Sequence, residues 1–156
     1  MRPRWIFLAA FALVFYGNGA AFIESFVNYP SWRLIGTDEF IVYHQFISPR
    51  VLALLVAPAL LGTVFTILLL WKRPGEIPRW AVWAAIAVQA VVWVSTVSTQ
   101  IPIQIQLSQQ GMSVELIERL IVTNFWLRRV PYAVCAALFL WMAAQTMGAD
   151  GESRRA

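Results

Sequence analysis

Four long apolar runs, separated by polar segments of unequal length, set the pattern of this chain. They cover residues 5–24, 51–71, 80–99 and 130–147. Each is close to the roughly 20 residues that cross a hydrocarbon core as a helix. Backbone in lipid must satisfy its own hydrogen bonds, so helices are expected throughout. The first run is interrupted only by Gly17, Asn18 and Gly19, and the second stops abruptly at Lys72-Arg73-Pro74-Gly75. Trp5, Trp71 and Trp80 stand at run ends, where an interfacial aromatic belt is expected.

The segments between the runs carry patterns of their own. Thr37 fits an N-cap, with Asp38 and Glu39 in the first turn where the helix dipole favours acids. Phe40, Tyr43, Phe46 and Ile47 then recur at helical spacing. This predicts a second helix from about Asp38 to Trp71, bent or broken at Pro49. Ser113 is a second N-cap candidate, before an apolar face of Leu116, Ile117, Leu120 and Ile121. The third helix is expected to pass Pro102 and reach about Gln109. Segments 25–50 and 100–129 therefore read as a helical cap, while the 72–79 connection is a tight turn.

Composition names the solvent. Hydrophobic residues make up 60% of the 156 and charged residues 13%, against about a quarter charged in a soluble domain. The expected fold is an all-α integral membrane protein, one domain over residues 1–156. It is an antiparallel four-transmembrane-helix bundle with its cap on the non-cytoplasmic side. Arg2, Arg4 and the small residues Gly19-Ala20-Ala21 also fit a cleavable signal peptide. The apolar run continues through Phe22 and Ile23, however, and a retained first span is expected.

Charge sets the orientation. Arg2, Arg4, Lys72, Arg73, Arg79, Arg154 and Arg155 fall on the side of the termini. The other side has Arg33, Arg50, Arg119, Arg128 and Arg129, diluted by Glu24, Asp38, Glu39, Glu115 and Glu118. Excess Lys and Arg marks the cytoplasmic side, so both termini are expected inside. No run of like charge points to nucleic acid, and no internal repeat stands out. The single cysteine, Cys135, allows no intramolecular disulfide.

The candidate chemistry lies in the outer half. Gln100 and Gln104 share a helix face, extended inward by Thr96 and Gln89, and Asn124 and Arg128 share another. Glu24 and Asn28 share a third. A polar stripe inside a span is costly against lipid and should face a cavity or a neighbouring helix. His44, the only histidine, is open to three roles: a structural residue, an acid/base or substrate contact, or a ligand in a weak oxygen-rich metal site with Glu24 and Glu39. It cannot make a bis-histidine haem or a zinc set, and no phosphate loop, nucleophile elbow or Cys-x-x-Cys is present. No cofactor or metal is expected. Arg129 reads as an interfacial anchor.

Three segments carry a family resemblance: Tyr29-Pro30 with Trp32, Ile101-Pro102-Ile103-Gln104-Ile105-Gln106-Leu107, and Asn124-Phe125-Trp126-Leu127-Arg128. Together they resemble a bacterial family of small four-span proteins of unknown function that also contains the anthrone oxygenases. The chain departs from that pattern with Gln104 where Asn is usual and with Asn124 near the usual histidine. The resemblance implies a bacterial inner-membrane protein and oxygenation of a lipophilic aromatic substrate without a cofactor. His44 would then be the base, with Tyr43 beside it, and Arg128 with Gln100 and Gln104 would stabilise an oxyanion. Gln100, Gln104, Asn124, Trp32, Glu24 and Trp126 would contact substrate. The alternative is a non-enzymatic binding or accessory protein for a lipid or membrane partner. A carrier or channel is a third class; four spans make only a narrow path, and no acid lies deep in a span, so proton coupling is poorly supported. Geometrically, His44 and Arg128 are expected on opposite sides of one cavity, with Gln100 and Gln104 on its wall.

Overall fold

A computed structural model describes residues 3–153, of which 149–153 are described by backbone alone. Arg2, Arg154 and Arg155, counted above for the basic side, lie outside the described residues. The chain is all-helical. Four helices are long and apolar enough to cross a membrane: α1 (Pro3–Leu34), α2 (Thr37–Lys72), α3 (Arg79–Gln110) and α4 (Val114–Gly148, continuing to Ser153). The expected cap is therefore continuous with these helices. The outer connections shrink to Ile35–Gly36 and Gly111–Ser113, and the described ends, Pro3 and Ser153, lie with the 73–78 turn at the opposite end.

Short connections force successive helices antiparallel. α1 packs on α2 and α4, and α3 packs on α2 and α4, giving a four-membered ring. The first helix is a full member, burying Ile6, Phe7, Ala10, Val14 and Ala21. At 1.5 Å per residue the 32 residues of α1 run about 48 Å, longer than a hydrocarbon core of about 30 Å.

Two local expectations change. Thr37 is the first helical residue, and Gly36 is the N-cap, its carbonyl accepting from the Phe40 N–H at 3.0 Å. Pro49 sits inside a helix that runs on unbroken. Ser113 does cap α4, its hydroxyl accepting from the Leu116 N–H at 3.4 Å.

Each helix widens once into a π turn: Glu24–Asn28, Leu52–Val56, Thr96–Gln100 and Phe125–Arg129. In each, an N–H reaches back five residues, as from Tyr29 to the Glu24 carbonyl and from Ile101 to the Thr96 carbonyl. A proline stands two residues beyond every one: Pro30, Pro58, Pro102 and Pro131. Proline donates no N–H and its ring collides with the carbonyl four residues back, and the widened turn makes room for both. So a device recurs four times although the sequence shows no repeat. Counted back from the helix ends at the 35–36 and 111–113 connections, the π turns begin between about 15 and 22 Å along, at one level.

That level divides the interior. One apolar core, around Leu69, Val82, Phe139 and Met142, lies toward the termini. Another, built from Tyr29, Trp32, Phe40, Ile103, Leu107, Ile117 and Leu120, lies at the opposite end. It joins segments 37–51 and 114–124 through the parts of α1 and α3 between them. The buried polar side chains Glu24, Ser25, Ser95, Thr96, Gln100, Asn124, Arg128 and Arg129 sit at or beside the π turns. The outer faces are apolar, with Leu52, Leu54, Val94, Val97 and Leu140 more than half exposed.

Candidate functional site

A cavity of about 330 Å³ opens at the π turns. Glu24, Tyr29 and Trp32 of α1, Ile47, Ser48, Pro49, Val51, Leu52, Leu55 and Val56 of α2, Thr96, Gln100, Ile101 and Gln104 of α3, and Arg128 of α4 enclose it. The backbones of α2 and α3 pack toward both ends but part where their π turns face each other. Leu52 (61% exposed) and Ile101 (45%) flank that gap, so the mouth lies on the apolar side of the bundle.

The π geometry selects the wall. The π turn closes its hydrogen bond five residues back, which brings Tyr29 round toward the face of Glu24, and both line the cavity. Arg128 and Gln104 both lie within reach of the buried Tyr29 hydroxyl. Asn28 donates to Glu24 Oε2 at 2.8 Å, while its own carbonyl oxygen accepts from Trp32 Nε1 (3.2 Å) and the Tyr43 hydroxyl (3.1 Å). Gln100 donates to the Thr123 hydroxyl at 3.1 Å. Thr123 gives its only proton to the Arg119 carbonyl at 2.7 Å, which orients the Gln100 amide and leaves its Oε1 buried without a partner. Nε of Arg128 is likewise buried and unpartnered.

His44 does not line this cavity, contrary to expectation. It is 1% exposed, stacked on Phe40 at 5.7 Å and edge-on to Trp32 at 5.2 Å. Its Nε2 meets the Gln104 side chain at 2.7 Å and its Nδ1 the Ser108 hydroxyl at 2.9 Å. The Ser108 hydroxyl lies between two acceptors, the Gln104 carbonyl at 2.9 Å and His44 Nδ1 at 2.9 Å, and its single proton serves one of them. Gln104 Oε1 is the atom that faces Nε2, so the ring donates there, and a neutral ring then accepts from Ser108 at Nδ1. Gln104 thus stands between the imidazole and the cavity.

The other expected residues divide. Glu24, Trp32, Gln100, Gln104 and Arg128 come together on the wall. Tyr43 is held behind it by Asn28. Asn124 is off the wall and ties α4 to α1, donating to Ser25 Oγ at 2.6 Å. Trp126 points away, 64% exposed and edge-on to Phe125, because two residues rotate it to the far side of α4 from Arg128. Arg129 is a lock within the fold: its guanidinium donates to the backbone and side-chain oxygens of Asn18 (3.2 and 3.1 Å) and lies 5.0 Å from the Phe22 ring centre. Among the described residues no three His, Cys, Asp or Glu side chains gather, so His44, Glu24 and Glu39 form no metal site.

Tyr29 and Ser108 were missed as site residues. Tyr29 was visible only as part of the Tyr29-Pro30 pair, and ordinary helical spacing does not put it on the face of Glu24. Comparisons of the chain with family models, with curated proteins and with solved structures gave no match to any of them.

Proposed function

We propose that this chain is an integral membrane protein, with both termini cytoplasmic in a bacterial inner membrane, that binds a lipophilic small molecule entering from the bilayer. The observation that carries this reading is the cavity: a polar wall of Glu24, Tyr29, Gln100, Gln104 and Arg128, reached through an apolar side opening. About 30 Å of hydrocarbon from the exposed Trp5 spans some twenty residues of α1 and ends near Ser25. The cavity then lies at the boundary of hydrocarbon and headgroups, within reach of a molecule dissolved in lipid. Large exposed apolar faces on all four helices support the membrane assignment, since soluble monomers rarely present them.

The test is to plug the mouth. Protein purified in nanodiscs is extracted with organic solvent, and co-purified lipophiles are measured by mass spectrometry. Leu52→Trp with Ile101→Trp should remove a species that wild type carries. An unchanged complement of lipophiles counts against the reading.

A second reading, an oxygenase-like enzyme acting on a lipophilic aromatic substrate, is favoured by the 2.7 Å contact between His44 Nε2 and Gln104. In this reading His44 acts through the Gln104 amide, and Arg128 stabilises a developing oxyanion. The probe is anthrone, which with one O2 gives anthraquinone and water. Oxygen uptake that depends on Arg128 supports it, and uptake equal to protein-free vesicles sinks it.

A further inference from the structure

We infer that the cavity selects a net-neutral head group, one that both donates and accepts a hydrogen bond, over an anionic one. This rests on the binding reading above and assigns the chemical class of the ligand. Of the residues lining the cavity, only Glu24 and Arg128 are ionisable to opposite full charges, one of each sign. They come from α1 and α4, and no ion pair joins them among the described residues. A carboxylate and a guanidinium facing one cavity without touching leave an acceptor and a donor for the occupant. Glu24 is met by a single side-chain donor, Asn28 at 2.8 Å, and a carboxylate accepts several hydrogen bonds.

The neighbouring cations do not add to the site. Arg129 is turned to Asn18 and the rings of Phe22 and Phe26 on the far side of α1. Arg50 lies over the Phe46 ring at 3.5 Å and donates to the Phe46 carbonyl. The remaining polar wall, Tyr29, Thr96, Gln100, Gln104 and Ser48, consists of uncharged donors and acceptors. An anion entering would gain Arg128 but meet Glu24 in a poorly screened space, and a cation would suffer the reverse. A hydroxyl, donating toward Glu24 and accepting from Arg128, satisfies both, with its hydrocarbon tail leaving through the gap beside Leu52 and Ile101.

Native mass spectrometry of the full chain, released from micelles with three competing probes, tests this. The probes are dioleoylglycerol (neutral hydroxyl head), dioleoylphosphatidic acid (anionic) and dioleoyl-trimethylammonium-propane (cationic). Wild type should retain dioleoylglycerol over phosphatidic acid by about tenfold, which corresponds to about 1.4 kcal/mol. Glu24→Gln should move the preference to phosphatidic acid, and Arg128→Gln should move it to the cationic lipid. Arg128→Lys, which keeps the charge, should keep the wild-type order even if the neutralised variants fold poorly. A wild type that retains phosphatidic acid first overturns this inference alone, as does an order unchanged in well-folded Glu24→Gln and Arg128→Gln. Retention of none of the three probes overturns the binding reading with it.

Discussion

The hydroxyl of Tyr16 donates to the backbone carbonyl of Leu54 at 2.8 Å, bridging α1 to α2. The residue four positions after Leu54 is Pro58, which has no N–H to offer that carbonyl. The bond from α1 therefore serves a group that the proline and the π turn leave open.

This makes a double-mutant cycle informative. Tyr16→Phe should cost about 0.5–1 kcal/mol of unfolding free energy in detergent, the usual net value of such a bond. In a Pro58→Ala background, where an N–H can return to the Leu54 carbonyl, the same change should cost nearly nothing. Equal costs in both backgrounds would separate the Tyr16 bond from the proline.

His44→Ala is expected to destabilise the protein. The ring fills space between Trp32 and Phe40, and its removal strips partners from Gln104 and Ser108. The combined loss should be about 2–4 kcal/mol. A melting temperature within a degree of wild type would show instead that the ring is dispensable to packing and return attention to chemistry at His44.

Gly62 and Gly19 should respond oppositely to a side chain. A Cβ at Gly62 would stand 3.2 Å from the Leu13 Cβ, where α2 packs against α1. Gly62→Val should therefore cost about 1–3 kcal/mol through overpacking. At Gly19 nothing lies within 4 Å, and Gly19→Ala should be neutral or stabilise by up to about 1 kcal/mol through helix propensity. Thermal unfolding of the two variants side by side checks the pair, and a tolerated Gly62→Val would show that the helices can move apart.

Orientation is tested by thiol labelling in intact cells. Cys135 is buried, so introduced cysteines should dominate the signal. Gly75→Cys in the basic turn should resist a membrane-impermeant reagent and Gln110→Cys should react. Gln110 is the better reporter than Gly111, whose φ of +85° strains any side chain. Labelling of Gly75→Cys from outside would invert the proposed topology.

Much of the site was legible because it depends on spacing within one helix. Gln100 and Gln104, four apart, do share the cavity wall with Arg128. Residues assigned without such spacing fall elsewhere: Tyr43 is tied to Asn28, and Trp126, two residues from Arg128, is 64% exposed. The prolines were on view in the sequence, but their effect was not. A proline can kink a helix, end it or widen a turn, and packing against the neighbouring helices chooses among these.

By itself the sequence determined four helices long enough to span a bilayer, because apolar run length and backbone hydrogen bonding are local properties. It also determined the tight basic turn at 72–79 and the apolar character of the outer faces. Only the tertiary structure decided that Glu24 and Tyr29 share a wall, that Gln104 screens His44, and that α2 and α3 part to open a mouth. Each of these depends on four widened turns meeting at one level, and that meeting is a relation between helices that no single run of residues contains.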